Sequence, residues 1–154
     1  MNAPGDELQF VAFRVGPQEF AVNIFQVERI LRYEAPALLP GAPDFLEGVV
    51  RYGGGVVPVV DLRKRLSVPS EVREEVRMMV LELETQRVAI VVDQVLEVLR
   101  VDAAVITAPP PMVRGLAAQY ISGIIAQQDR TIVLLNAARL LSSEERLALA
   151  AMEA

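Results

Sequence analysis

The sequence predicts a mainly β protein with short helices, arranged as two small barrels of about five short strands each. Three observations support this fold class: apolar side chains alternate along many segments, helical patterns are scarce, and the chain contains an internal repeat. With 154 residues, of which 53% are hydrophobic, the chain is long enough for one domain of ordinary size. We therefore expect a single domain over residues 1–154 that contains two related barrel subdomains.

The predicted strands differ in how deeply they are buried. Residues 11–15 and 79–83 alternate in polarity, which is typical of strands with one buried face. Residues 88–92 form a continuous run rich in β-branched side chains, which indicates a strand buried on both faces. Glycine and proline in residues 16–19, and the triple glycine at 53–55, predict hairpin turns between strands.

Helical signals are confined to short segments. We expect one- or two-turn helices at residues 61–66 and 136–141. Ser142, followed three residues later by Glu145, forms a capping-box pattern before a stretch rich in leucine and alanine. This pattern predicts a C-terminal helix over about residues 143–153.

An internal repeat divides the chain into two halves. A shift of 68 residues superposes residues 10–31 on 78–99, and a shift of 75 superposes 48–66 on 123–141. The order of two hairpins followed by a short helix recurs in both halves, which predicts pseudo-repeated barrel subdomains at about 10–66 and 78–141. Because each half is too small to bury much core alone, we expect the two to share an interface.

The composition excludes most enzyme classes. The chain contains no histidine and no cysteine, and Lys64 is its only lysine. It therefore lacks the usual bases, thiolate nucleophiles and nitrogen or sulfur metal ligands, so we expect no catalytic residue, no metal site and no cofactor. The formal net charge of −5 also disfavours nucleic acid as a partner.

The sequence shows no targeting or membrane-spanning segment. Its first residues contain neither a basic region nor an apolar region of the kind that signal peptides have. The longest apolar stretches are far shorter than the ~20 residues needed to span a bilayer. We therefore expect a cytoplasmic protein that does not insert into the membrane directly.

Four segments together resemble the CheW family of bacterial chemotaxis coupling proteins. They are residues 10–31, 48–66, 88–101 and 120–146, and the runs VPVVDLRKR and IVVDQVLEV within them are the most specific. The resemblance implies two intertwined five-stranded SH3-like barrels with a C-terminal helix. It also implies a non-catalytic adaptor that couples the cytoplasmic tip of a methyl-accepting chemoreceptor to a CheA-type histidine kinase, and thus a location at the inner face of the membrane.

The resemblance also implies two sets of binding residues. It assigns kinase binding to Ile24, Val27, Gly48 and Met112, and receptor binding to Arg51, Gly53, Val56, Met78 and Val98. For each of these positions a plain structural role is the competing interpretation, because apolar residues in strands are commonly buried and a glycine commonly meets a backbone need.

The chain departs from the family pattern at two charged positions. Gly53 stands where the family commonly has an arginine, and Arg29 stands where it commonly has a glutamate. An acid and a base appear instead at the neighbouring positions Glu28 and Arg51. Residues two apart on a strand project to the same side, so Arg51 is the predicted substitute for a cation at position 53.

Two alternatives to the coupling function stay open at this point. The first is an SH3-like barrel that binds another ligand, either a small molecule or nucleic acid. The basic run 63–65 is better interpreted as a solvated helix face, because no aromatic platform accompanies it. The second alternative is a CheW homologue that serves a pilus or surface-motility pathway.

Overall fold

The mainly β class is confirmed by the computed structural model, which describes residues 6–66, 76–83, 86–108, 120–127 and 129–141. Strands and short helical turns account for most of the described residues. The strands are β1 (Glu7–Val15), β2 (Gln18–Asn23), β3 (Val27–Arg32), β4 (Leu46–Tyr52), β5 (Gly55–Asp61), β6 (Arg77–Glu82), β7 (Arg87–Val92), β8 (Gln94–Asp102), β9 (Ile106–Thr107), β10 (Ile121–Gln127) and β11 (Arg130–Leu135).

Helical structure in these residues is as short as the sequence predicts. The segment 61–66 contains α1 (Leu62–Leu66), and the buried Asp61 caps it by accepting a hydrogen bond from the Arg63 backbone N–H at 3.0 Å. Within the predicted helix 136–141, the structure has only a 3-10 turn, Ala137–Arg139. The predicted C-terminal helix at about 143–153 lies outside the described residues.

The strands form two sheets that exchange strands between the halves of the chain. The six-stranded sheet has the order β8-β1-β2-β11-β10-β9, and the five-stranded sheet has the order β3-β6-β7-β5-β4. Strand β3 pairs with β6 of the second half, whereas β8 pairs with β1 of the first half. The sequence repeats 10–66 and 78–141 therefore do not coincide with the two sheets, and the barrels are intertwined.

The five-stranded sheet curls so that its two edge strands approach each other. The Tyr52 hydroxyl of β4 lies close enough to the Glu28 carboxylate of β3 to lower the pKa of that carboxyl. At the other end of the same edges, the Tyr33 hydroxyl lies 3.2 Å from Glu47 Oε2. These two contacts link β3 and β4 in antiparallel order, and such closure of the sheet is what makes it a barrel.

Three apolar clusters form the core. One lies on the six-stranded sheet alone and one on the five-stranded sheet alone, whereas the largest takes side chains from both. In β7, Ala89 and Val91 belong to the cluster of their own sheet, while Val88, Ile90 and Val92 belong to the shared cluster. The predicted burial of residues 88–92 on both faces is confirmed, and so is an interface shared by the two barrels.

Candidate functional site

A turn between β2 and β3 carries the most exposed aromatic side chain among the described residues. Phe25 lies in the 3-10 turn Ile24–Gln26 and is 91% exposed. Its backbone N–H donates to Asn23 Oδ1 at 2.9 Å, which fixes the start of the turn and directs the ring away from the core. Its neighbours Ile24 and Val27 are half-buried and pack against the shared core.

We call residues 24–27 the apolar turn. It joins two of the predicted kinase-binding residues, Ile24 and Val27, to a third apolar residue, Phe25, that the sequence analysis missed. The only local signal for Phe25 is Asn23, a residue type that favours turns, just before it. Alternation alone could not separate an outward ring from a buried one, because the chain changes direction here.

Gly48 does not lie with the apolar turn. It is buried in β4 with φ +149, and a Cβ at this position would be 2.1 Å from the Ala37 carbonyl oxygen. Along the facing edges of β3 and β4, the Glu28 contact lies near Val27, whereas the Tyr33 contact lies near Gly48. These contacts are separated by about five strand residues, or ~15 Å. Gly48 thus allows the close approach of the connector, and its assignment to kinase binding stays a prediction.

The β4–β5 hairpin gathers three of the predicted receptor-binding residues. Arg51 and Val56 are directly opposed in the ladder, both are exposed, and Val56 is 45% exposed. Gly53 occupies the turn with φ +58, a conformation that favours glycine. The hairpin tip lines a shallow concavity of about 410 Å³.

The other two predicted receptor-binding residues differ in accessibility. Met78 is only 2% exposed and belongs to the core of the five-stranded sheet, so its side chain does not reach a groove between the barrels. Val98 on β8 is 51% exposed. The predicted kinase-binding residue Met112 lies outside the described residues.

Glu28 pairs with Arg87 and not with Arg51. Arg87 Nε lies 2.9 Å from Glu28 Oε1, and the guanidinium carbon lies 5.9 Å from the centroid of the Tyr52 ring. The hydrogen bond from Tyr52, followed by that from Arg87, lowers the pKa of Glu28, and the bond to Glu28 raises the pKa of Tyr52. Glu28 is therefore held as a carboxylate between a tyrosine and an arginine.

Arg51 projects away from this cluster. Tyr52 packs against the core of its barrel, whereas the adjacent Arg51 is exposed on the opposite face of β4. The nearest atom to a Cβ built at Gly53 is Arg87 Nη1, at 3.9 Å. The turn thus directs position 53 toward the Arg87 side of the hairpin, and the role of Arg51 as a substitute cation stays a prediction.

The basic run 63–65 is largely occupied by structural contacts. Arg63 pairs with Asp61 at 3.3 Å, and Arg65 donates to the Leu140 carbonyl at 2.8 Å while stacking 3.9 Å from the Phe45 ring centroid. The interpretation of the run as a solvated helix face is wrong for these two arginines. Their contacts also leave little of the run for phosphate binding.

The described residues contain neither an acidic metal-binding cluster nor a membrane-spanning helix. No group of three or more acidic side chains there could hold a metal ion. None of the helices there is long and apolar enough to cross a membrane.

The chain resembles known proteins over most of its length. Residues 9–145 match the family described as the CheW-like domain. The chain is 33% identical over 138 residues to the chemotaxis protein CheW of Klebsiella aerogenes, covering 89% of this chain and 83% of the relative. It is 32% identical over 147 residues to the protein FrzA of Myxococcus xanthus, covering 94% of this chain and 91% of the relative.

A solved structure has the same architecture. The scaffolding protein TtCheW from Thermoanaerobacter tengcongensis superposes with a TM-score of 0.84 at 25% sequence identity, covering 94% of this chain and 92% of that one. Fold and sequence thus agree, and the chain belongs to the CheW family.

Proposed function

We propose that this chain is a non-catalytic adaptor that couples the cytoplasmic tip of methyl-accepting chemoreceptors to a CheA-type histidine kinase. The observation that carries the proposal is the match to the CheW-like domain over nearly the whole chain. The absence of histidine and cysteine from the sequence fits a scaffold better than an enzyme. The adaptor would act in the cytoplasm, at the inner face of the membrane where receptor tips are available.

The apolar turn is the proposed kinase-binding surface. An interface depends on a few apolar anchors that become buried on binding, and aromatic residues are common among them. Phe25 is such a residue, and Ile24 and Val27 support it from the core side. Gly48 contributes indirectly by shaping β4, and Met112 stays a predicted counterpart on the second barrel.

The β4–β5 hairpin and Val98 are the proposed receptor-binding surface. A receptor tip is a helical hairpin, and a helix binds through an apolar stripe on one of its faces. Val56 and Val98 offer exposed apolar side chains on the two different sheets. Met78 supports the five-stranded barrel from within and makes no direct contact in this proposal.

The kinase assignment is tested by calorimetry with the regulatory domain of the CheA-type kinase from the same genome. Phe25→Asp should weaken binding by about 2 kcal/mol, or roughly 30-fold, because a charge replaces a buried anchor. Leu38→Asp is the matched control, since Leu38 is 83% exposed and lies in the connector before β4. Wild-type affinity in a folded Phe25→Asp protein would contradict the assignment.

Phe25 is a better test position than Val27. Val27 packs against the shared core, so an aspartate there would also disturb folding. If neither kinase nor receptor fragments bind the wild-type protein, the alternative of an SH3-like module for another ligand takes precedence. The pilus or surface-motility alternative changes the pathway and not the mechanism, because a coupling adaptor would use the same surfaces there.

A further inference from the structure

One end of the five-stranded barrel presents an arginine in an unusual setting. We call this end the barrel mouth and define it by Glu28, Tyr52, Gly53 and Arg87. These residues come from β3, β4, the β4–β5 turn and β7. The mouth therefore joins the edge-strand closure of the barrel to the hairpin proposed for receptor binding.

Arg87 is held in place at the barrel mouth, but only its Nε forms a hydrogen bond in the described residues. Its Nε bonds to Glu28 at 2.9 Å, and its guanidinium lies over the Tyr52 ring. Arginine has five N–H donors, and the two terminal nitrogens of Arg87 donate no hydrogen bond within the described residues. Its side chain is 46% exposed, so these donors face solvent.

Gly53 leaves the guanidinium uncovered. A Cβ at this position would already lie 3.9 Å from Arg87 Nη1, and any longer side chain would extend into the same space. The positive φ of Gly53 also disfavours other residues at the turn. Access to the terminal nitrogens of Arg87 thus depends on a position without a side chain.

We propose that Arg87 is the specificity-determining cation of the receptor-binding surface and binds a carboxylate on the helical receptor tip. This inference rests on the proposed function, since it names the contact that the β4–β5 hairpin makes. The planar guanidinium matches a carboxylate through two parallel hydrogen bonds. Because Glu28 and Tyr52 already restrict the side chain, little conformational entropy is lost on binding.

The barrel mouth is less acidic than the chain as a whole, so its charges do not oppose an acidic partner. Arg29 lies close enough to influence Tyr52, and Arg51 stands on the outer face of the same hairpin. Among the described residues, the acids that face Arg87 are Glu28 and Glu82. Because Arg51 projects away on the outer face, two arginines and two glutamates meet at the mouth, which is therefore less acidic than a chain whose net charge is −5. A receptor helix whose acidic side chain enters the mouth would satisfy the terminal nitrogens of Arg87.

The test is calorimetric titration with a soluble fragment of the cytoplasmic tip of a methyl-accepting chemoreceptor from the same genome. Arg87→Gln should weaken binding about tenfold or more, the equivalent of ~1.4 kcal/mol. Arg32→Gln is the matched control, because it removes the same charge from an exposed position at the far end of β3. Glu28→Gln should weaken binding of the receptor fragment less than about threefold, since it loosens Arg87 but keeps the cation.

Each outcome decides between distinct explanations. A large loss of receptor affinity for Arg87→Gln alone supports the proposal, provided that the affinity of this variant also depends less on salt than that of the wild type. Equal losses for Arg87→Gln and Glu28→Gln would overturn it, because Arg87 would then only position the hairpin. Wild-type affinity in every variant would overturn it while leaving the proposed function intact, and a wild-type protein that does not bind the fragment would remove both.

Discussion

At equivalent positions of the repeat, the six-stranded sheet carries acids and the five-stranded sheet carries arginines. The shift of 68 residues superposes Glu19 on Arg87 and Arg29 on Glu97. In the six-stranded sheet, Arg130 stands between the two acids, with Nη2 at 2.6 Å from Glu19 and Nη1 at 3.0 Å from Glu97. In the five-stranded sheet, the equivalent positions are arginines, and Glu28 pairs with one of them.

The two arginines, Arg130 and Arg87, differ in how many of their N–H donors form hydrogen bonds. Arg130 uses Nε and both terminal nitrogens on two carboxylates, and these bonds raise its pKa. Arg87 uses only Nε in the described part of the chain. The same strand framework therefore supports a saturated cluster in one barrel and an available cation in the other.

A second pair of equivalent positions carries glycine in both repeats. Gly48 superposes on Gly123 under the shift of 75 residues. A Cβ at Gly48 would meet a backbone carbonyl at 2.1 Å, whereas a Cβ at Gly123 would meet the Ile106 side chain at 3.0 Å and the Thr107 carbonyl at 3.2 Å. The first glycine is required by the backbone, and the second only relieves crowding.

The largest expected effect in this comparison concerns these glycines. Gly48→Ala should lower the free energy of unfolding by about 3 kcal/mol or more, because it adds both a positive-φ strain and a backbone clash. Gly123→Ala should cost only about 1 kcal/mol, since a side chain can yield. Urea denaturation measures both. Equal losses would show that β9 crowds Gly123 as closely as the connector at Ala37 crowds Gly48.

The next effect concerns the two arginines. Arg130→Gln should cost about 1 kcal/mol of stability, because it leaves two carboxylates without their shared cation. Arg87→Gln should cost less, since its single pair is more exposed. Denaturation at low and high salt measures the two losses of stability. The difference between them should narrow as the salt concentration increases, because salt screens exposed charges. A larger loss for Arg87→Gln would mean that the barrel mouth is structural.

The smallest expected effect concerns Glu47, which lies at the opposite end of the five-stranded barrel from Arg87. Burial, followed by the charge of Asp61, raises the pKa of Glu47. The folded state therefore binds a proton more tightly than the unfolded state, and stability falls as pH rises through the raised pKa. Glu47→Gln should stabilise the protein at about pH 7, by less than about 1 kcal/mol.

The pH dependence provides the control for Glu47. The gain from Glu47→Gln should shrink on acidification to about pH 4, where the wild-type carboxyl is largely protonated. The glutamine oxygen can still accept the hydrogen bond from Tyr33, so that contact is preserved. A gain that persists unchanged at low pH would point to a cause other than ionisation.

Much of the architecture could be predicted from local pattern. Alternation located the strands, glycine and proline located the hairpins at 16–19 and 53–55, and Asp61 marked the start of α1. The site was less predictable. Exposure of Phe25 depends on a three-residue turn, and the partner of Glu28 lies on β7, 59 residues away in the chain. Nothing in the spacing of Glu28 and Arg51 distinguishes that partner from a nearer arginine.

The sequence by itself predicted that the chain is mainly β and that its pattern repeats between the two halves, and it shows that the chain contains neither histidine nor cysteine. Only the tertiary structure decided which sheet each edge strand joins. The polarity pattern of an edge strand does not identify its partner, because the partner strand is chosen by the free energy of contacts between distant segments. The exchange of β3 and β8 between sheets brings Glu28 to Arg87 and Glu97 to Arg130, so that Arg130 bonds two carboxylates whereas Arg87 bonds one in the described residues.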